Sequence, residues 1–429
     1  MDTLHSQIIR LTKSILLNPD DKNLVSTSFF AGRNSSPMTG GIGLTWWHSS
    51  DSGFAADAVA ELTIKRNSSL RGCDIETASD VVTRTLEEMC FDKNIFDSDS
   101  VAFRRKENLF ECRSVPVDCF AERIQNKVRT NIQNKLGRLC VVYVVPRFQV
   151  DSFLIAEDSI RVVSRSDQTA WRGLEDEGYK LDGWSPNFPN NVVPDGLSPP
   201  ESFECVLVAE EQGTRIGAET NAVLKFRQLS ALMFAFASRR AGHPLFISSA
   251  QPTRAVVQFP HVSNVHATFT GGFIDPILPN FGSGARVITS DDISELQAWY
   301  AQCHDGDAEY RGRLEKGAYF LNRGINSSDI EAFINYFVAL DALFGKRGSV
   351  ESSILEGLRG LDISEGYVEK ASWLFDLRSE LVHGGSRNIS EWPKLTRYVK
   401  HFRSKPMVDV QSLALQAVLQ APYRISGPQ

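Results

Sequence analysis

The chain has 429 residues, of which 42% are hydrophobic and 23% charged, and its net charge is −6. That length suits two or three domains with a sizeable core. The acidic balance argues against coating nucleic acid with the whole surface, which requires a basic face, and leaves room for one local basic patch.

The N-terminal stretch MDTLHSQIIRLTKSILLNPDD lacks the apolar core and small-residue cleavage site of a signal peptide. Nowhere does an apolar run reach the length that spans a bilayer, so a cytoplasmic protein without a membrane partner is expected. Thr39-Gly40-Gly41-Ile42-Gly43 is glycine-rich enough to approach a phosphate, but no helical pattern follows and a plain turn is the better reading. Trp46, Trp47 and His48 fit a core cluster better than a ligand-binding surface. Phe120, Ile124, Val128, Ile132 and Leu136 recur every four residues, which predicts an amphipathic helix closed by Gly137. The runs at 139–146, 203–211 and 254–259 read as strands, and about 217–240 as a long apolar helix ending in Arg239, Arg240 and Gly242. Between the first two strands, residues 184–202 hold five of the 18 prolines. They form a loop or a linker, either separating two domains or decorating one.

From residue 290 onward the pattern becomes wholly helical, with helices expected near 291–303, 307–324, 329–344, 350–359, 365–383, 390–404 and 408–420. The fold class expected is therefore α+β. A mixed α/β region over 1–289, suited to a sensor or substrate-recruiting role with a trigger ligand or protein, precedes a helical bundle over 290–429. Ser328-Asp329-Ile330-Glu331 reads as a capping box, and the apolar run after it as the central helix, ended by Gly345. His304-Asp305-Gly306-Asp307 reads as a turn, not a metal loop. The seven cysteines are odd in number and lack C-x-x-C spacing, which points to reduced thiols without a disulfide frame or zinc knuckle.

Chemistry concentrates in ASWLFDLRSELVHGGSRN, residues 371–388. At 100° per residue, Ala371, Leu374, Phe375, Leu381 and Val382 share one helix face, and Arg378 falls in its middle. A guanidinium there must be paired with an acid, sit at an interface or line a cleft. His383 closes the helix ahead of Gly384 and Gly385, where the helix dipole favours its cationic form. A group titrating near neutrality is what phosphodiester chemistry requires. Downstream, Arg387, Lys394, Arg397, Lys400, Arg403 and Lys405 face only Glu391, a local net charge of +5. With Trp392, Leu395, Val399 and Phe402 as the apolar face, these cations are placed to meet phosphates, or simply to solvate the helix.

Arg378 to His383, with Ser379 after the arginine, matches the R-x4-6-H motif of HEPN domains. YFVALDALFG at 336–345 resembles the first conserved helix of the Apea-like HEPN family, with Asp341 where the family usually has glutamate. Arg378 to Gly385 is similar to the family's R-S-x-x-V-H-G-G tail, and the likeness covers roughly residues 305–425. Arg254 and His261 meet the same spacing in a strand-like run and are read as a decoy. The resemblance implies an antiviral or toxin effector that cleaves RNA without a metal or cofactor, at a homodimer interface. In that picture His383 moves the proton, Arg378 stabilises phosphorane charge, Ser379 positions phosphate or His383, and Asp341 holds Arg378. The same likeness is compatible with a noncatalytic module that binds RNA or dimerises. No Walker A, G-x-G-x-x-G or G-x-S-x-G pattern occurs, and His261 with His266 lacks the acids of a metal site.

Overall fold

Leu4, Ile8 and Leu11 sit at helical spacing and are fully buried, which makes the first element, α1 (Thr3–Ser14), a core helix. The computed structural model describes residues 3–19, 24–31, 43–145, 148–179, 203–241, 253–258, 273–274, 277, 286–363 and 365–424. After α1 come strands β1 (Ile15–Leu16), β2 (Leu24–Ala31) and β3 (Gly43–Ser49). They pair antiparallel in the order β1-β3-β2. Helices α2 (Asp51–Arg66), α3 (Ile75–Met89), α4 (Ser98–Ala102) and α5 (Val117–Gln133) follow. Asp74 caps α3 by accepting the Thr77 amide at 2.7 Å.

Trp46 lies inside this core, alongside Val59, Val82 and Phe120. On α5 the stripe Phe120, Ile124, Val128 and Ile132 is buried as the spacing predicts. The helix stops at Asn134 rather than Gly137, because Gly137 already begins the next strand.

Two compact units emerge, Met1–Leu139 with Glu211–Glu219, and Cys140–Glu210 with Thr220–Gln429. They do not part at 289/290. Residues 290–429 share their unit with strands and a long helix that precede them.

The chain continues through β4 (Gly137–Val145), β5 (Phe148–Gln149), β6 (Phe153–Ile155), β7 (Ile160–Ser164), α6 (Gln168–Asp176), β8 (Cys205–Gly213) and α7 (Arg215–Ala241), and the second unit takes β4 from Cys140, β8 to Glu210 and α7 from Thr220. Next come β9 (Thr253–Gln258), β10 (Phe273–Ile274) and β11 (Arg286–Val287). Six of these strands form one sheet, in the order β10-β9-β4-β8-β7-β6. The three strands read from sequence are thus its central members β4 and β8 and their neighbour β9. Cys140, Val142, Val206 and Val208 meet Trp171 and Leu174 of α6 in one core cluster. Every residue from 226 to 238 of α7 is buried, so that stretch of the helix has no solvent face. The proline-rich stretch 184–202, His261, His266 and residues 39–42 lie outside the described residues.

The helical part comprises α8 (Ser290–Asp305), α9 (Ala308–Asn326), α10 (Asp329–Phe344), α11 (Val350–Arg359), α12 (Glu365–Val382), α13 (Leu395–Phe402) and α14 (Pro406–Arg424). The fold is therefore α+β with a C-terminal helical bundle. Its centre is α10, which packs against α9, α11, α12 and α14. The Phe337 and Phe375 rings meet edge-on at 5.0 Å between α10 and α12. Among the described residues no helix is long and apolar enough to cross a membrane.

Two local expectations are corrected. Ser328 precedes α10, but its side chain makes no capping bond. Asp329 takes a left-handed φ of 47°, which changes the chain's entry into the helix, and Glu331 pairs with Arg323 at 3.6 Å instead. A true capping box opens α8, where Thr289 and Asp292 exchange bonds. The helix expected at 390–404 is also shorter. Pro393 disfavours helical backbone at Trp392, whose ψ is 121°, so a 3₁₀ turn at Ile389–Glu391 precedes α13. The buried residue of α13 is Tyr398, while Val399 is 39% exposed.

Candidate active site on helix α12

Leu374, Leu377, Leu381 and Ala371 anchor α12 in the core. Arg378 lies centrally on this arc and is half-buried. Its side chain makes no hydrogen bond or ion pair with any described residue. One turn further on the same arc, Val382 is 54% exposed. The core-facing arc of α12 therefore runs past the edge of the bundle, and Arg378 stands where burial gives way to solvent.

The end of α12 is fixed by backbone geometry. Gly384 adopts φ +76°, and the Gly385 amide bonds back to the Glu380 carbonyl at 2.8 Å. That is the six-to-one bond of a Schellman cap, with glycine in the left-handed position that a side chain would strain. The His383 amide reaches the Ser379 carbonyl at 3.0 Å, so His383 is the C-cap residue and its ring is exposed. Ser379, one turn earlier, is also exposed and falls on the His383 side. Arg378 and His383 are separated by five residues, about 7.5 Å along the axis and about 140° around it. The two side chains thus do not converge from within one helix.

Asp341 belongs to the neighbouring α10 and is half-buried. No ion pair joins it to Arg378, so the expected clamp is not formed within one chain. Asp341 instead shapes the end of α10. Its carbonyl accepts the Gly345 amide at 2.7 Å, and its Oδ1 would lie 1.8 Å from a Cβ at Gly345. Only glycine fits there, which gives the D-A-L-F-G sequence a local structural cause.

The basic segment folds over the opposite side of α12. Asp376 accepts from Lys394 at 2.7 Å and from the Trp392 indole at 3.0 Å. Lys394 beside it, with the indole, holds the Asp376 carboxyl below its ordinary range despite some burial. Arg387 is engaged with Glu391 at 2.6 Å. The Arg397 guanidinium stands 5.1 Å over the Trp373 ring, on which His401 also stacks. Lys400, Arg403 and Lys405 are exposed and carry no ion pair among the described residues. Of the cations read as RNA-binding, Arg387 and Lys394 are thus already paired, though exposed pairs are weak and a phosphate can replace the acid. Two features here escape sequence reading. Asp376 is an unremarked acid that docks the basic segment, and Val382 is apolar in sequence yet open to solvent.

Among the described residues no group of three or more His, Cys, Asp or Glu side chains could hold a metal ion. No family model, curated protein or solved structure matches this chain.

Proposed function

We propose that this chain is a HEPN-type, metal-independent endoribonuclease that acts as a homodimer in defence or as a toxin. The observation that carries the reading is Arg378, a half-buried guanidinium central on the core-facing arc of α12 with no ion pair among the described residues. A buried cation left unpaired costs stability unless something else meets it, and an RNA phosphate across a cleft is the natural counter-charge. A second copy of α12, docked over the arc that Val382 leaves open, brings the paired residues into one cleft.

His383 then takes the proton of the 2′-hydroxyl as that oxygen attacks phosphorus, or returns one to the departing 5′-oxygen. Arg378 meets the charge on the phosphorane oxygens, a role suited to its planar donors. Ser379, on the His383 side of the helix, orients a phosphate oxygen. Lys400, Arg403 and Arg397 lead the strand in, with Arg387 and Lys394 exchanging their carboxylates for phosphates.

Purified protein should cleave RNA in EDTA, and His383→Ala should lower the rate by about 10²–10⁴-fold, the usual share of general acid–base catalysis. Cleavage that survives this substitution, or that needs a divalent cation, overturns the proposal. A noncatalytic HEPN module is the second reading, favoured by the position of His383 as an exposed helix cap. It requires that wild-type protein bind RNA or dimerise without cleaving, and that His383→Ala leave its biological effect intact.

A further inference from the structure

The first unit carries a second cluster of cations and aromatic rings, unrelated to α12. After α4 the chain reads Phe103-Arg104-Arg105-Lys106, and all four side chains are exposed, Phe103 at 67%. The segment is not a loose tail. Just beyond it the Glu107 carbonyl accepts the Leu17 amide at 2.9 Å, and Asn108 bridges Leu16 of β1. Leu16 is in turn paired with Trp47 of β3. Arg104 takes a left-handed φ of 52°, and its guanidinium lies over the Trp47 ring at 4.6 Å from the centroid. Arg105 lies 5.4 Å from the Phe103 ring.

No ion pair within 4 Å engages Arg104, Arg105 or Lys106 among the described residues. Acids close by in sequence are Asp99, Glu107 and Asp97, whose carboxyl feels Arg105. Asp97 is already occupied, capping α4 through the Asp99 amide and holding the Ser100 hydroxyl at 2.5 Å. Three cations therefore stand beside an open aromatic face in an acidic chain.

We propose that this patch binds single-stranded nucleic acid, with a base stacked on Phe103 and phosphates held by Arg104, Arg105 and Lys106. Stacking platforms next to cations are what flexible single strands require, because each base presents a π-face and each step a phosphate. The Arg104–Trp47 stack adds a planar cation fixed at the sheet surface, ready for a second base. An acidic protein would satisfy the cations but leaves Phe103 without a role. Under the ribonuclease reading the patch recruits substrate, yet the binding itself does not depend on that reading.

The test measures binding of fluorescent 12-nucleotide RNA and DNA strands, and their duplexes, to full-length His383→Ala protein, in which cleavage cannot erode the probe. Phe103→Ala should weaken single-strand binding about 10-fold, the effect of losing one stacked base. Arg104→Gln/Arg105→Gln/Lys106→Gln should lower the slope of log affinity against log salt by about 2, as expected for three phosphate contacts at roughly 0.7 each. Circular dichroism and thermal melting of these surface variants should match the parent. The RNA and DNA arms decide which strand is preferred. Unchanged affinity and slope in both variants overturn the proposal, as does equal loss of duplex binding, or a patch that binds polyglutamate but no strand. Cleavage by wild-type protein, measured separately, reports on His383 and stands or falls on its own.

Discussion

Helix α12 carries two charged side chains on its inner half that have met opposite fates. Lys370 donates to Asp409 at 2.7 Å, and Asp409 also accepts the Tyr398 hydroxyl at 2.9 Å. Asp409 is only 3% exposed and Tyr398 is fully buried, so the trio ties α12, α13 and α14 together out of water. Burial, then the neighbouring carboxylate, pushes the Tyr398 phenol up, which keeps it a neutral donor. Two turns later on the same helix, Arg378 has comparable need of a partner and none among the described residues. A charge that folding satisfies is structural. One that folding leaves open on a core-facing arc is available to something outside the chain.

The sharpest way to break this contrast is to remove the acid from the satisfied site. Asp409→Ala strands Lys370 and the Tyr398 hydroxyl inside the bundle, and should cost about 3–5 kcal/mol in urea unfolding. Asp409→Asn, which can still accept from Tyr398, should cost clearly less. A loss below about 1 kcal/mol would mean that the trio is not the clamp described.

Next in size is the open site. Arg378→Ala removes no hydrogen bond or ion pair to a described residue, so its unfolding free energy should stay within about 1 kcal/mol of wild type. Cleavage should nevertheless fall about 10²–10³-fold, the measured scale for losing one donor to a developing oxyanion. Destabilisation as large as that of Asp409→Ala would place Arg378 with the structural charges and remove the main support for the ribonuclease reading.

The sequence shows one side of the contrast more readily than the other. The sequence pattern locates α10 and α11 at 329–344 and 350–359, because packing follows the helical period there. It also places Arg378 amid apolar neighbours. It cannot show that Asp341 turns to Gly345, since that choice is made by the approach of two backbone segments. Pro393 is legible in the sequence and shortens the helix expected at 390–404. The turn it causes moves the buried position of α13 to Tyr398, which is what lets Asp409 be met. No sequence expectation covers helices α1 to α3 or the sheet β1-β3-β2, although Leu4, Ile8 and Leu11 mark α1 plainly. Strand β1 is only two residues long, so short-range patterning carries little information about it.

The same contrast recurs on a smaller scale between two histidines. His383 has no side-chain partner among the described residues, whereas His48 of the first unit is held on both ring nitrogens. Its Nε2 lies 2.8 Å from the Ser28 hydroxyl and its Nδ1 3.0 Å from that of Ser52. In the neutral ring one nitrogen donates and the other accepts, and either serine can serve either role. Burial lowers its pKa below the ordinary 6.5, so the folded protein resists protonating it. The sign follows from linkage. Above pH 6.5 both folded and unfolded chains hold the ring neutral and its stabilisation is complete. As pH falls through 6.5 the unfolded chain takes up the proton first, and stability is lost until the folded pKa is passed. Urea unfolding between about pH 7 and pH 5.5, above the range where ordinary carboxylates titrate, should show this decline. His48→Gln keeps a donor and an acceptor but cannot titrate, so its stability should be flatter over that interval. An equal slope in the variant would move the acid sensitivity to another group and leave His48 a spectator.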